Sequence, residues 1–207
     1  MITQRHAADA PDAVQRALRI LQAGGLVAFP TDTVYGLGAP AFDAAGIERL
    51  FAIKGREQTK AIAVLIAEPG DLDKVARDVS EQALRLAERF WPGPLTLVLP
   101  RHTSLPGLLS PNDTIGVRVP DHDVARSLLT AAGPLAVTSA NLAGGANTRS
   151  ADEVLAQLGG RIELVLDGGQ TPGEQPSTVV DLTGAEPQVL RAGPISEAEI
   201  TAALAPP

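Results

Sequence analysis

Short apolar segments that suit buried strands alternate with amphipathic helical segments in the first half of the chain, and this alternation limits the available fold classes. In the second half, several strand-like segments follow one another without a helix between them. This pattern predicts an α/β fold in which helices pack against one mixed sheet. The predicted strands are 26–29, 61–66, 95–99, 114–119, 135–138, 162–166, 178–182 and 188–191; the predicted helices are 10–23, one capped by Asp43 that ends at 54–56, 80–91, 123–132, 150–158 and one that begins at Ser196.

The chain of 207 residues, with 44% hydrophobic content and no repeat or linker, is typical of one domain spanning 1–207. The absence of cysteine excludes a disulfide framework, a thiolate zinc site and a thiol nucleophile. The N-terminal segment lacks the apolar core of a signal peptide, and no segment approaches the roughly eighteen apolar residues of a membrane span. We therefore expect a cytoplasmic protein without membrane contact.

The net charge of −7 argues against a protein that coats nucleic acid or an anionic membrane through general electrostatic attraction. A negative total does not exclude a local basic pocket for a phosphate compound. An RNA partner would have to meet such a pocket or be reached through a small-molecule intermediate.

The segment 30–38, PTDTVYGLG, is the first candidate site, because it places two threonine hydroxyls, a carboxylate and the only tyrosine in a Gly-rich loop after the strand 26–29. Open α/β sheets bind ligands in loops at the carboxyl ends of strands, although an ordinary turn is the alternative. The glycine spacing resembles a dinucleotide motif, but the strand ends too early and Pro40 lies inside the match. No phosphate-loop motif or serine nucleophile elbow is present, and His6, His102 and His122 lack metal-ligand spacing.

Other polar groups also stand at predicted strand ends or in loops. Arg118 lies between two valines of a strand, so its side chain must face an anion or water. Taken singly, each group has an ordinary surface or turn interpretation; their joint placement at strand ends favours a site. The other groups are the cationic cluster Lys54, Arg56 and Lys60, the loop Ser139-Ala140-Asn141, and Ser177, Thr178 and Arg191, whose planar guanidinium suits phosphate or carboxylate.

Six ordered motifs in this sequence resemble those of the YrdC-type threonylcarbamoyl-AMP synthases, over about residues 10–200. They are PTDTVYGLG at 30–38, Lys54-x-Arg56, VRVP at 117–120, Ser139-Ala140-Asn141, STVVD at 177–181 and Leu190-Arg191-x-Gly193. The resemblance implies the short, single-domain form, with a twisted mixed sheet and flanking helices around a deep, positively lined cavity. It also implies that L-threonine, bicarbonate and ATP react to give threonylcarbamoyl-AMP and pyrophosphate, with Mg²⁺ carried on the ATP phosphates.

The resemblance further implies roles for individual residues. Asp32 is expected to serve hydrogen bonds of its own loop more than to ligate magnesium. A downstream tRNA threonylcarbamoyl-transferase machinery is the implied partner, and a weak contact with RNA or tRNA is left open. Lys54 and Arg56 would be catalytic, by neutralising phosphate charge; Thr33, Tyr35, Arg118, Thr138 and Ser177 would bind threonine; Arg56, Lys60, Thr114, Ser139, Asn141, Asn147 and Arg191 would bind ATP.

Two other functions are compatible with the sequence. The commoner family pattern has prolines near Glu57 and Ala61, and some members have histidine in place of Leu65. These departures favour a YciO-like relative that binds nucleotide or double-stranded RNA with a different or weaker activity, whereas the intact Ser139-Ala140-Asn141 favours the synthase. A pure double-stranded-RNA module is disfavoured by the negative charge and the 3% aromatic content.

Overall fold

Ten strands form one mixed sheet in the computed structural model, which describes residues 1–55, 57, 59–173 and 175–205. The strands are β1 (Gln4–Ala7), β2 (Val27–Phe29), β3 (Gly36–Pro40), β4 (Ala63–Leu65), β5 (Leu95–Pro100), β6 (Thr114–Arg118), β7 (Leu135–Ser139), β8 (Leu164–Asp167), β9 (Thr178–Asp181) and β10 (Gln188–Arg191). The helices are α1 (Ala13–Gln22), α2 (Ala44–Lys54), α3 (Glu81–Phe90), α4 (Asp123–Ala132), α5 (Ala151–Leu158) and α6 (Glu197–Leu204), with 3₁₀ turns at Pro69–Lys74 and Gly107–Leu109.

The strand order is β1-β8-β2-β3-β7-β4-β6-β5-β9-β10. The pairs β1/β8, β2/β8, β4/β6 and β5/β9 are parallel, and the other neighbours are antiparallel. The α/β fold with a mixed sheet and flanking helices is therefore confirmed. Each predicted strand and helix is present, with ends shifted by at most three residues.

Helix ends follow the capping chemistry of the sequence. Asp43 caps α2 by accepting from the backbone N–H of Ala45, and Gly55 ends that helix with a φ of 61°, a left-handed conformation that glycine adopts without a Cβ clash. The predicted capping box at α6 is complete. The one predicted at α5 is only half formed, because the Glu153 carboxylate accepts from Arg149 N rather than from the capping serine.

Two strands were not predicted from the sequence. β1 lies at the sheet edge and its residues are mostly exposed, so it has no apolar signal. β3 begins within the predicted loop and extends beyond it. It was not predicted because glycine and proline usually mark the ends of strands. Here the glycines permit close packing: a Cβ on Gly36 would lie 2.8 Å from Val137 Cγ1, and one on Gly38 would lie 3.0 Å from Phe29 Cε1.

Alternation along the central strands separates a core face from an open face. Successive side chains of a strand point to opposite faces of the sheet. On one face, Val64, Leu97, Val117 and Val180 are fully buried in the main hydrophobic core. The residues on either side of each of them point the other way, and that second face forms the wall of a cavity.

Candidate functional site

A cavity of about 590 Å³ lies over the second face of the sheet. Alternate residues of β4, β5, β6 and β9 provide the central part of its wall. Residues of β7 and β10 and loops at 31–36, 59–62, 110–112 and 176–177 complete it. Gly116 has no side chain in the middle of the wall, and there is little room for one, because a Cβ at this position would lie 3.1 Å from Thr96 Cγ2. The lining strand residues are Ala63 and Leu65 from β4, Thr96 and Val98 from β5, Thr114, Gly116 and Arg118 from β6, Val179 and Asp181 from β9, Gly36 from β3, Val137, Thr138 and Ser139 from β7, and Leu190 and Arg191 from β10.

Arg118 is a buried cation at one side of this wall, with 6% of its surface exposed. Its Nε donates to Gly93 O at 2.9 Å and its Nη1 donates to Thr33 Oγ1 at 3.0 Å. Its Nη2 donates to the Asp32 carboxylate, with which it forms an ion pair. Burial lowers the pKa of Arg118, and the Asp32 carboxylate opposes that shift. Three protein acceptors therefore fix the guanidinium, and two of its five N–H groups are left for a ligand.

Asp32 serves contacts outside its own loop, which corrects the expectation from the sequence. Besides the ion pair with Arg118, its Oδ1 accepts from the backbone N–H of Asp121 at 3.1 Å. Its Oδ2 is buried without a hydrogen-bond partner among the residues described. The carboxylate thus ties the loop after β2 to the end of β6.

The loop 30–38 presents hydroxyls to the cavity and turns its phenol away from it. Thr31 Oγ1 donates to Val34 O at 2.7 Å and lies 3.0 Å from Thr33 Oγ1, so both threonines are held in place. The Tyr35 hydroxyl donates to Gly169 O at 2.7 Å and accepts from Gly168 N at 3.2 Å. Burial raises the pKa of this phenol. The hydroxyl of Tyr35 is thus engaged by backbone partners both as a donor and as an acceptor, while the fully buried residue is among those that line the cavity.

Lys54 lies beneath the loop that follows β7 rather than among the residues that line the cavity. Lys54 is buried, with 3% of the residue exposed. Its ammonium group donates to Ser139 O, to Asn141 O at 2.6 Å and to Asn141 Oδ1 at 3.3 Å. The Asn141 amide in turn donates to Gly145 O at 2.7 Å. Lys54 and Asn141 thus shape the loop that carries Ser139 into the cavity wall.

A second network of hydroxyls lies across the cavity from Tyr35. Ser177 Oγ is 2.8 Å from Thr96 Oγ1. Arg191 Nε and Nη2 donate to Ser177 O at 3.0 and 2.9 Å, and Nη2 also donates to Ser177 Oγ at 3.1 Å. Residues that lie 81 positions apart in the chain therefore meet at one wall.

Most of the residues singled out in the sequence converge on this cavity. Lys60 is exposed between the lining residues Thr59 and Ala61, and Asn147 is exposed beside the buried Thr148. Arg56 lies outside the described residues. From the sequence, Thr31 and Asp181 stood out only as members of motifs, without roles of their own, and Thr96 was missed. The alternation of β5 and β9 could have found Thr96 and Asp181, because it places them on the cavity face. The predicted residues that line the cavity are Thr33, Tyr35, Thr114, Arg118, Thr138, Ser139, Ser177 and Arg191.

The profile of the Sua5/YciO/YrdC family, described as "Telomere recombination", matches residues 19–193. This match covers well over half of the chain. The chain belongs to the Sua5/YciO/YrdC family.

Two relatives of this Sua5/YciO/YrdC chain carry the same activity in their names. It is 42% identical over 190 residues to the threonylcarbamoyl-AMP synthase of Pyrococcus abyssi, covering 90% of this chain but 56% of that protein. It is 40% identical over 189 residues to the putative threonylcarbamoyl-AMP synthase of Mycobacterium tuberculosis, covering 91% of this chain and 87% of that protein. The chain thus spans little more than half of the first relative and most of the second.

Solved structures of the family have the same fold. The crystal structure of P. abyssi Sua5 complexed with L-threonine superposes with a TM-score of 0.92 at 40% identity, covering 98% of this chain and 60% of that one. The structure of Escherichia coli YciO superposes with a TM-score of 0.85 at 29% identity, covering 96% of this chain and all of that one. Since identity to YciO is lower than to the proteins named as synthases, the YciO-like alternative is not favoured.

Proposed function

We propose that this chain is a threonylcarbamoyl-AMP synthase, which converts L-threonine, bicarbonate and ATP into threonylcarbamoyl-AMP and pyrophosphate. The observation that carries the proposal is the buried Arg118, held by three protein acceptors with two N–H groups to spare, beside the hydroxyl of Thr33. The names of the relatives that are 40 and 42% identical, and the L-threonine in the P. abyssi Sua5 structure, support it.

The threonine subsite would lie around Arg118. A guanidinium with two N–H groups directed at one ligand pairs with a carboxylate in a bidentate manner, which fixes orientation as well as charge. Thr33 and Ser177 offer hydroxyls within the same cavity, and Tyr35 is a further lining residue. Such a subsite suits a small amino acid that has a carboxylate and a hydroxyl, which are the polar groups of threonine besides its amine.

The nucleotide would occupy the rest of the cavity. Thr114, Ser139 and Arg191 line it, and Lys60 stands at its rim on the segment before β4. Arg56 and Asn147 stay predictions for this part of the site. ATP would enter with Mg²⁺ on its phosphates, because hydroxyl, ammonium and guanidinium groups suit phosphate oxygens and not a bare cation.

The reaction needs no covalent intermediate with the protein. The threonine nitrogen forms a bond to the bicarbonate carbon, and water leaves to give a carbamate. A carbamate oxygen then attacks the α-phosphorus of ATP, and the bond from that phosphorus to the pyrophosphate oxygen breaks. The protein's contribution would be to place carbamate and α-phosphate in line and to neutralise charge on the leaving pyrophosphate. Arg56 is the proposed catalytic cation. Lys54, which the sequence also predicted to be catalytic, would be a positioning residue that acts through the loop 139–141.

The product would pass to a tRNA threonylcarbamoyl-transferase machinery, and a cytoplasmic location is proposed with it. None of the helices in the described ranges has the length and apolar character needed to span a bilayer. Any contact with RNA would be weak and local, given the net charge of −7.

The decisive experiment measures pyrophosphate release from ATP by the purified chain, with threonine and bicarbonate supplied together or singly. We expect release only when all three substrates are present, and threonylcarbamoyl-AMP in the products by mass spectrometry. Serine and valine serve as matched controls, since each lacks one feature of threonine. Release that does not depend on threonine would contradict the proposal and would point to the YciO-like activity.

A further inference from the structure

Asp181 is the one carboxylate among the described residues that line the cavity, and the proposed function leaves it without a role. A carboxylate repels phosphate groups and must be met by hydrogen-bond donors or water. A cavity for ATP that contains a carboxylate therefore should place it against the part of the nucleotide that carries hydroxyl or amine donors. Those donors belong to the ribose and the base.

The position of Asp181 in the sheet agrees with this reasoning. Asp181 pairs with Val98 on β5, and Val98 pairs with Gly116 on β6. Two strand spacings separate Asp181 from Gly116, about 10 Å, and Arg118 lies two residues further along β6, about 7 Å. The carboxylate is thus on the same wall as Arg118, at a distance that leaves room for a phosphate between a substrate at Arg118 and a sugar at Asp181.

A cationic rim at Lys60 lies on the other side of β6 and β5 from Asp181. Lys54 binds the loop after β7, and Lys60 precedes β4, which pairs with β7. In the strand order, β7 and β9 lie on opposite sides of β4, β6 and β5. Lys60 therefore marks a cationic rim that suits the outer phosphates. Arg191 on β10 is a cation on the Asp181 side, but its guanidinium is held by Ser177 before the start of β9, whereas Asp181 is at the other end of that strand. The end of β9 that carries Asp181 therefore suits the nucleoside.

The Asp181 side chain is held in place with one oxygen to spare. Its Oδ1 accepts from Thr183 N at 2.9 Å and from Thr183 Oγ1 at 2.7 Å. Within the described part of the chain, Oδ2 makes no hydrogen bond. The turn after β9 needs only Oδ1, and an asparagine would serve it equally well. Oδ2 can therefore accept a hydrogen bond from a ligand while the bonds of Oδ1 to Thr183 keep the carboxylate oriented.

We propose that Asp181 accepts a hydrogen bond from a ribose hydroxyl of the bound nucleotide and makes the cavity select ribonucleotides over deoxyribonucleotides. The inference rests on the proposed function, because it takes ATP as the ligand of this cavity. Hydrogen bonds from a hydroxyl to a charged acceptor are among the stronger ones in proteins. A nucleotide without that hydroxyl should therefore bind about 10- to 100-fold more weakly.

The test compares ATP, 2′-deoxyATP and 3′-deoxyATP in threonine-dependent pyrophosphate release, with dissociation constants from calorimetry as a second readout. The variant Asp181→Asn keeps an oxygen for Thr183 and replaces the free oxygen by an amide donor. The matched control Glu186→Gln removes the same charge from an exposed residue of the same β9–β10 connection, which does not line the cavity. Thermal unfolding of each variant reports on its fold.

We expect the unmodified chain and Glu186→Gln to prefer ATP over at least one deoxy analogue by about 10-fold or more in kcat/KM and in affinity. In Asp181→Asn, ATP should weaken to the level of that analogue and the preference should vanish. Equal use of all three nucleotides by the unmodified chain, or a preference that survives in Asp181→Asn, would overturn the inference while leaving the synthase activity intact. A chain that binds no ATP would instead refute the proposed function, and this inference with it.

Discussion

The two ends of the cavity differ in how much of the site exists before a ligand arrives. Around Arg118, the functional groups are buried and held by hydrogen bonds: Thr33, Arg118 and Ser177 are 2, 6 and 4% exposed. Arg118 donates to Thr33, and Ser177 is bonded to Thr96 and Arg191. Around Lys60, the residues are exposed, and they lie on a segment with little regular structure. The comparison indicates that the fold buries and orders the proposed threonine subsite (the organised end) more than the proposed phosphate end (the exposed end).

Removing Arg118, the cation of the organised end, should have the largest effect on catalysis. In Arg118→Ala, kcat/KM for threonine should fall by roughly a hundredfold to a thousandfold or more, because a buried charge pair with the substrate carboxylate is lost. ATP binding, measured by calorimetry, should change little. The control is Arg77→Ala, whose partner Asp78 is exposed and lies away from the cavity wall. If threonine-dependent turnover persisted in Arg118→Ala, the assignment of the subsite would be wrong.

Removing Asp32, whose carboxylate forms an ion pair with Arg118, should have the second largest effect on catalysis. We expect Asp32→Ala to raise KM for threonine about 10- to 100-fold with a smaller change in kcat, because the guanidinium loses the acceptor that orients it. Asp32→Asn keeps an oxygen at the same position and should restore most of the affinity. If both variants lowered only the unfolding midpoint and left KM unchanged, Asp32 would be a stabilising residue without influence on the substrate.

At the exposed end, a single charge should contribute less. Lys60→Ala is expected to raise KM for ATP about threefold to tenfold, and the difference from the unmodified chain should shrink as salt increases, since exposed charges are screened. Threonine affinity should stay the same. Lys74→Ala, which removes an exposed lysine paired with Asp71, is the matched control. An effect as large as that of Arg118→Ala would show that the phosphate end is as organised as the other.

The smallest expected effect is that of removing the Tyr35 hydroxyl, which among the described residues is bonded only to backbone groups and has no proposed contact with a substrate. Tyr35→Phe should lower the free energy of unfolding by about 1 kcal/mol, because the bonds to Gly168 and Gly169 are lost. Burial raises the pKa of this phenol above its ordinary value of 10.0, so its contribution is full below that pH and is lost as pH rises through the folded-state value. The two proteins should therefore converge in stability at strongly alkaline pH.

Ultraviolet absorbance measures the ionisation of the phenol and so tests the raised pKa of Tyr35 directly. Tyr35 is the only tyrosine of the chain, so its ionisation is read without interference from another phenol. A phenol that titrates at its ordinary pKa in the folded protein would contradict the burial-based shift.

Local patterns in the sequence were enough for the strands and helices that have apolar signals, and for the hydroxyls and cations that sit in short motifs. They failed where the cause is not local. β3 depends on how closely Gly36 and Gly38 pack against Val137 and Phe29, which no strand propensity records. The ion pair of Asp32 with Arg118 joins residues 86 positions apart, so the loop's carboxylate could not be assigned a partner before the fold was known.

The bare backbone at Gly116 has a consequence for redesign of the cavity. A methyl group at this position would meet Thr96 at 3.1 Å and Ala63 at 3.6 Å, in the middle of the wall shared by both ends. Neither Arg118 nor Asp181 is among the three nearest neighbours of that methyl group. Gly116→Ala should therefore narrow the middle of the cavity without adding or removing a polar group, which makes position 116 a place to change the shape of the cavity rather than its chemistry.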